Sequence, residues 1–161
     1  MNDAELFLSC FKGNQTFQTF DDKGKDKSLS HVFHEYDHEK LKALNDKGAG
    51  IFFMVNEGDG GGRKNKNVVR VRAFFADFDG IPLPKEWPVK PDIFVRTSAG
   101  HFHAYWLVED DCPLEHFKSI QQAIAKYYGS DASVNDLARV MRVPGFDHMK
   151  GEKPWMVQVV S

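Results

Sequence analysis

An α+β fold, with helices lying on a mainly antiparallel sheet, is what this sequence predicts. Three observations lead there. Strand-like runs outnumber helical ones, they gather in hairpins, and many of the 14 phenylalanines fall inside them, as a sheet core requires. The predicted order is α, β, α, β, β, β, β, α, loop, β.

Asp3 suits the cap of a first helix over residues 4–11, stopped by Gly13. Residues 15–21 alternate enough for a strand, and DDKGKDKS after them reads as a solvated turn. His31, His34 and His38 recur at helical spacing, but nothing nearby completes a metal site, so they read as surface or packing histidines. A second helix is expected over residues 37–46, with Leu41 and Leu44 inward and Gly48 as its stop. GIFFMV, residues 50–55, is a short buried strand.

NEGDGGGRKNKN, residues 56–67, is glycine-rich and basic, and lacks the Gly-Lys-Ser/Thr end of a phosphate-binding loop. It reads either as a flexible hairpin or as a loop touching DNA or nucleotide through Arg63, Lys64 and Lys66. Residues 68–80, VVRVRAFFADFDG, form a strand ending in two acids, and IPLPKEWPVKP is a proline-punctuated loop. Residues 92–97 and 101–108 then make a hairpin about the tight turn Ser98-Ala99-Gly100. On its second strand His101, His103, Tyr105 and Leu107 share one face, and Phe102, Ala104, Trp106 and Val108 the other. An amphipathic helix over 113–128 starts at Pro113 and stops before Gly129. Residues 130–150 read as irregular and charged, and 155–160 as a closing strand.

At 161 residues the chain suits one domain with a real core. Its apolar share of 42% and charged share of 27% are those of an ordinary globular protein. No apolar run reaches membrane-spanning length and the N-terminus lacks signal-peptide features, so a cytoplasmic location without a membrane partner is expected. Cys10 and Cys112 stand alone, which implies neither a disulfide framework nor a zinc site. A net charge of −2 argues against holding nucleic acid by bulk charge; affinity must be local or carried by metals.

Three constellations bear chemistry. Asp77 and Asp79 lie one residue apart on a strand, so both carboxylates face the same side about 6.5–7 Å apart along it. Two such acids suit Mg²⁺ or Mn²⁺, hard ions that prefer oxygen ligands. His103, beside the Ser98-Ala99-Gly100 turn, can donate to a phosphate oxygen, with Ser98 and turn amides assisting. In NDLARVMRVPGFDHMK, residues 135–150, Asp136 could complete the metal shell, with Asp131 its rival. Arg139 and Arg142, sharing a face of a helical turn broken by Pro144 and Gly145, could balance triphosphate charge. Acids and cations so combined point to metal-dependent nucleotidyl transfer.

FADFDG, TSAGHFHAYW and DLARVMRVPGFDHMK, in that order, resemble the three motifs of the archaeo-eukaryotic primase superfamily, and most closely its plasmid and phage primase-polymerases. The resemblance implies an RNA-recognition-like catalytic core. It also implies that Asp77, Asp79 and Asp136 bind the catalytic Mg²⁺ or Mn²⁺. By the same resemblance His103 contacts the incoming nucleotide's phosphates, and Arg139, Arg142 and Lys150 line that pocket. His148 stands where such proteins often carry Asn. Expected partners are a single-stranded DNA template with its primer, nucleoside triphosphates, and a fused or separate helicase. The chain ends soon after the third motif, so it reads as a catalytic fragment of a larger replication protein.

Two rival readings remain. His101-Phe102-His103 also resembles the His-hydrophobic-His motif of rolling-circle replication nickases, with Tyr127 or Tyr128 as nucleophile. A non-catalytic nucleic-acid-binding module would instead stack bases on exposed sheet aromatics.

Overall fold

The computed structural model describes residues 1–160. Helix α1 (Asp3–Leu8) is capped by Asn2, whose side-chain oxygen accepts the Glu5 N–H at 2.8 Å. The cap therefore sits one residue earlier than Asp3, and the helix stops short of Phe11. Strand β1 (Phe17–Asp21) pairs antiparallel with β2 (His31–Phe33), a strand missed in the sequence because only three residues define it. Helix α2 (His38–Asp46) starts at an Asp37 cap and leads into β3 (Ala49–Met54).

The strand expected over 68–80 is two strands. β4 (Glu57–Gly58) and β5 (Val68–Arg70) form a small ladder, and β6 (Ala73–Asp79) begins after a break at Val71 and Arg72. Arg72 causes the break. Its guanidinium is buried with no carboxylate bonded to it, and donates instead to the carbonyl oxygens of Phe11, Lys12, Asn14, Met54, Val55 and Asn56. A buried cation keeps its charge only when its donors are met.

β7 (Ile93–Ser98) and β8 (His101–Leu107) make the expected hairpin, with Gly100 at φ +73° supplying the left-handed turn residue. Helix α3 (Phe117–Tyr128) follows a single 3₁₀ turn and ends at Gly129, φ +72°. The stretch read as irregular contains β9 (Val140–Arg142) and β10 (Asp147–His148). The closing strand divides into β11 (Trp155–Met156) and β12 (Gln158–Val160).

The strands build two four-stranded antiparallel sheets, ordered β2-β1-β3-β9 and β12-β7-β8-β6. The α+β, mainly antiparallel expectation holds. Phe53 of the first sheet and Tyr105 of the second lie 6.4 Å apart, and Phe7 of α1 packs edge-on to both, at 5.3 and 5.7 Å. One aromatic core thus joins the sheets. The second sheet's other face is covered as well: Trp87 of the proline loop and Tyr128 of α3 lie over Phe78, Phe94 and Trp106.

β6 is an edge strand, but its edge is not free. Gln121 of α3, 1% exposed, accepts the Phe75 N–H and donates back to the Phe75 carbonyl, both at 2.9 Å. Two residues on, the Asp131 N–H donates to the Asp77 carbonyl at 2.9 Å. A side-chain amide and a loop here stand in for a neighbouring strand.

Candidate active site

Antiparallel pairing of β6 with β8 sets Asp77 opposite His103 and Asp79 opposite His101, so four titratable side chains share one face at one end of the sheet. Across from them, pairing of β9 with β3 sets Arg142 opposite Phe52. The cleft between has a volume of about 220 Å³ and is lined by Asp77, Asp79, Thr97, His101, His103, Phe52, Arg139, Arg142, His148 and Lys150, among others. Acids and histidines form one wall, and cations the other.

Burial chiefly, then the neighbouring Asp79 and Asp131 carboxylates, push the Asp77 carboxyl up to about 6. Asp79, more exposed, is in contact with His101 Nδ1. His103 is buried, and that burial, with Arg142, His148 and His101 nearby, pulls it down to about 3, so its imidazole is neutral. Its Nε2 lies 3.6 Å from the Asp77 carboxylate, which is therefore no ion pair, and its Nδ1 has no hydrogen-bond partner among the described residues.

Arg142 is fixed by a residue the sequence did not single out. Asp22 accepts from Nη1 at 3.0 Å and from Nη2 at 2.8 Å, and the guanidinium lies 4.6 Å from the centre of the Phe52 ring. Burial alone would raise the Asp22 pKa; the Arg142 hydrogen bond and charge, and the Met149 N–H, outweigh it and hold the carboxyl below its ordinary value. A Cβ on Gly50 would come within 2.7 Å of the Asp22 carboxylate and 2.8 Å of Arg142 Nη1, so only glycine leaves the pair its space.

The sequence-predicted residues are placed as follows. Asp77, Asp79, His103, Arg139, Arg142 and Lys150 meet in the cleft. The helical turn expected to align the two arginines does not form: Arg142 is in β9 and Arg139 in the loop before it. Asp136 is not a lining residue; its carboxylate accepts from Arg139 Nε at 2.8 Å. Asp131 bonds through its N–H to the Asp77 backbone and acts on the Asp77 carboxyl by charge, while its own carboxylate is held by the Ser133 N–H and hydroxyl. Ser98 closes β7 away from the lining, and its neighbour Thr97 takes the cleft position. Arg63, Lys64 and Lys66 lie outside the cleft: Arg63 Nε donates to Gln18 at 2.9 Å, and the two lysines are exposed. Besides Asp22, Thr97 and Phe52 went unmarked in the sequence: Thr97 opens the TSAGHFHAYW motif but was given no role, and Phe52 is an apolar residue of a buried strand.

No three His, Cys, Asp or Glu side chains among the described residues converge into a ready metal cage. The donor set nonetheless fits a hard cation. Asp77 and Asp79 present oxygens from one strand face, and a divalent ion would offset both the burial that chiefly raises the Asp77 pKa and the repulsion from Asp79 and Asp131 that adds to it.

Comparison with known proteins bears on the fold. The family model described as the RepB DNA-primase N-terminal domain matches residues 86–160. The AEP domain of the cyanophage S-2L primase-polymerase superposes with a TM-score of 0.77 at 17% identity, covering 99% of this chain and 88% of that one. Primase RepB′ gives 0.74 at 15% identity, over 99% of this chain and 55% of that one. The catalytic domain of primase RepB′ in complex with initiator DNA gives 0.74 at 17%, over 99% and 82%. No curated protein matches the sequence. The chain thus shares the fold of these primase domains, the fold that the three motifs led one to expect. Among the described residues no helix is long and apolar enough to cross a membrane.

Proposed function

We propose that this chain is the catalytic domain of a replication primase-polymerase, a template-directed nucleotidyltransferase that joins nucleotides to a 3′-hydroxyl with release of pyrophosphate. One observation carries the reading: the acid pair Asp77 and Asp79 faces Arg139, Arg142 and Lys150 across a single small cleft. A triphosphate needs cations for its tail and metal-binding acids beside its α-phosphate.

Mg²⁺ or Mn²⁺ ions held by Asp77, Asp79 and a third acid would neutralise the triphosphate and activate the attacking hydroxyl. Asp136 and Asp131 are the candidates for that third acid: neither lines the cleft, Asp136 accepts from Arg139, and Asp131, whose carboxylate accepts from Ser133, is near enough to act on Asp77 by charge. Neutral His103 keeps an N–H to offer a phosphate oxygen without adding charge beside the acids. Arg142, already oriented by Asp22, presents a fixed guanidinium, while Lys150 contributes a mobile point charge. The DNA template and primer approach the cleft from outside, where Arg63, Lys64 and Lys66 can meet phosphates. A replication helicase, fused or separate, is the partner that would supply single strands.

The nickase reading lacks its nucleophile at the site. Tyr128 stacks on Trp106 at 5.6 Å, on the sheet face opposite to His101 and His103, and Tyr127 packs on Tyr128 at 4.9 Å.

Labelled-nucleotide incorporation on a primed single-stranded template, with Mg²⁺ or Mn²⁺ and with or without primer, tests the proposal. Metal-dependent extension that disappears in Asp77→Ala and Asp79→Ala is the expected result. Absence of extension by the wild-type chain, or near-normal activity in either variant, would overturn it, as would a covalent tyrosyl-DNA adduct.

A further inference from the structure

Strand alternation divides the first sheet into two faces. Phe17, Thr19, Ile51, Phe53 and Met141 point into the core. Gln18, Phe20, Phe52 and Arg142 therefore share the other face, and no helix covers it at the Phe20 end, where Phe20 is 37% exposed.

Four side chains on that face form a row. The Arg63 guanidinium lies 5.9 Å from the centre of the Phe20 ring, Phe20 meets Phe52 edge-to-face at 5.5 Å, and Phe52 lies under Arg142 at 4.6 Å. Gln18 anchors the outer end: it is 5% exposed, accepts from Arg63 Nε at 2.9 Å, and spends its own amide on the Thr19 and His31 carbonyls. The inner end is the cleft itself, since Phe52 and Arg142 line it. Lys64 and Lys66, next to Arg63 in the chain, are exposed.

Aromatic rings flanked by guanidinium groups are what unpaired bases stack on, and cations set along such a row accompany the phosphates between them. We propose that Phe20, with Arg63 above it, is a stacking platform for an unpaired base of the template strand, set on a track that enters the cleft over Phe52. The occupant is the strand and not the incoming nucleotide. Phe20 does not line the cleft in which Lys150 and His103 would meet a triphosphate tail, and its own cation is Arg63, whose chain neighbours Lys64 and Lys66 are exposed, as contacts to a polyanion need. This inference rests on the primase-polymerase reading and assigns one of its substrate contacts.

The test is binding of a single-stranded oligodeoxynucleotide carrying 2-aminopurine, followed by anisotropy and by quenching of that base, without metal or nucleotide. Phe20→Leu keeps apolar bulk and removes the ring; it should weaken binding about tenfold, within the range of one lost base stack, and relieve the quenching. Phe20→Trp should restore both. Arg63→Gln, which leaves Phe20 intact, should weaken binding and lower the salt dependence by about one phosphate contact. Unchanged affinity and quenching in Phe20→Leu and Arg63→Gln would overturn the platform. So would a loss confined to nucleotide KM in extension assays, which would assign the ring to the incoming base. A chain that binds strand through Phe20 but extends no primer would refute the polymerase reading and leave this one standing.

Discussion

Asp22 and Arg142, 120 residues apart in sequence, form a bidentate buried pair against the floor of the cleft. Removing one partner of such a pair leaves an uncompensated buried charge, at a cost of about 3–5 kcal/mol, whereas replacing both with apolar residues costs far less. Asp22→Ala should therefore lower thermal stability sharply, and Asp22→Leu combined with Arg142→Met should recover most of the loss. Neither variant should regain nucleotide affinity, because in one Arg142 is misplaced and in the other it is absent. Thermal melts and nucleotide KM, measured on the three proteins, check both halves.

Gly50→Ala probes the same pair from beneath. Its Cβ would crowd the Asp22 carboxylate at 2.7 Å and Arg142 at 2.8 Å, and both are held by bonds that resist displacement. A loss of about 1–3 kcal/mol in stability is expected, as for overpacking elsewhere, with weakened nucleotide binding. Chemical denaturation and KM provide the measurement.

A second relationship sets the pH dependence. Asp77 has an ordinary value of 3.8 unfolded and about 6 folded, raised first by burial and then by Asp79 and Asp131. The folded chain binds this proton more tightly, so the group favours folding below about pH 4, and that advantage is lost as pH rises through 6. At pH 7 without metal the ionised carboxylate is a net cost. Asp77→Asn should consequently raise the melting temperature of the metal-free protein at pH 7, by the equivalent of about 3 kcal/mol at most, while abolishing incorporation. Proton and cation compete for the carboxylate, so Mn²⁺ should stabilise the wild type more at pH 7 than at pH 5, and the Asn variant at neither.

What the sequence disclosed depended on range. Asp77 and Asp79 were legible because a period of two is a local property of one strand, and His101 and His103 likewise. Asp22 was not: it lies in DDKGKDKS, which is indistinguishable from a solvated turn until Arg142 arrives from across the first sheet. β9 was hidden for the same reason, since Val140–Arg142 becomes a strand only by pairing with β3. The approach of Asp131 to Asp77 was equally hidden: α3 ends at Gly129, and the Asp131 N–H then meets the Asp77 carbonyl, a tertiary outcome that spacing does not encode. The break before β6 follows from Arg72 seeking carbonyls far along the chain.

His103 should act through affinity. Its imidazole is already neutral, at about 3, so the pH profile of extension above pH 5 should carry no contribution from it, and any inflection there belongs to other groups. Loss of one hydrogen bond to a charged phosphate costs about 1.5–3 kcal/mol. His103→Ala should raise nucleotide KM at least tenfold, beside a modest fall in melting temperature from the cavity that the buried ring leaves. Steady-state kinetics across pH 5–9 would show an unaltered KM if the residue lay outside the nucleotide's reach.

Gln121 links the two segments that carry acids. Its amide holds Phe75, two residues before Asp77, and donates to the Val134 carbonyl at 3.0 Å, three residues after Asp131. Gln121→Leu keeps the volume but leaves a buried N–H and two buried carbonyls unmet, at a cost of about 1–3 kcal/mol for each unsatisfied group. If Gln121 only stabilised the fold, the variant would melt earlier and retain its metal response. As a positioning residue it should also shift the Mn²⁺ concentration for half-maximal extension several-fold upward, at temperatures well below the melt. Gln121→Glu supplies the sharper comparison. Its carboxylate can still accept from the Phe75 N–H, but it cannot donate to either carbonyl when ionised, so the metal response should be intermediate at low pH and worst at high pH.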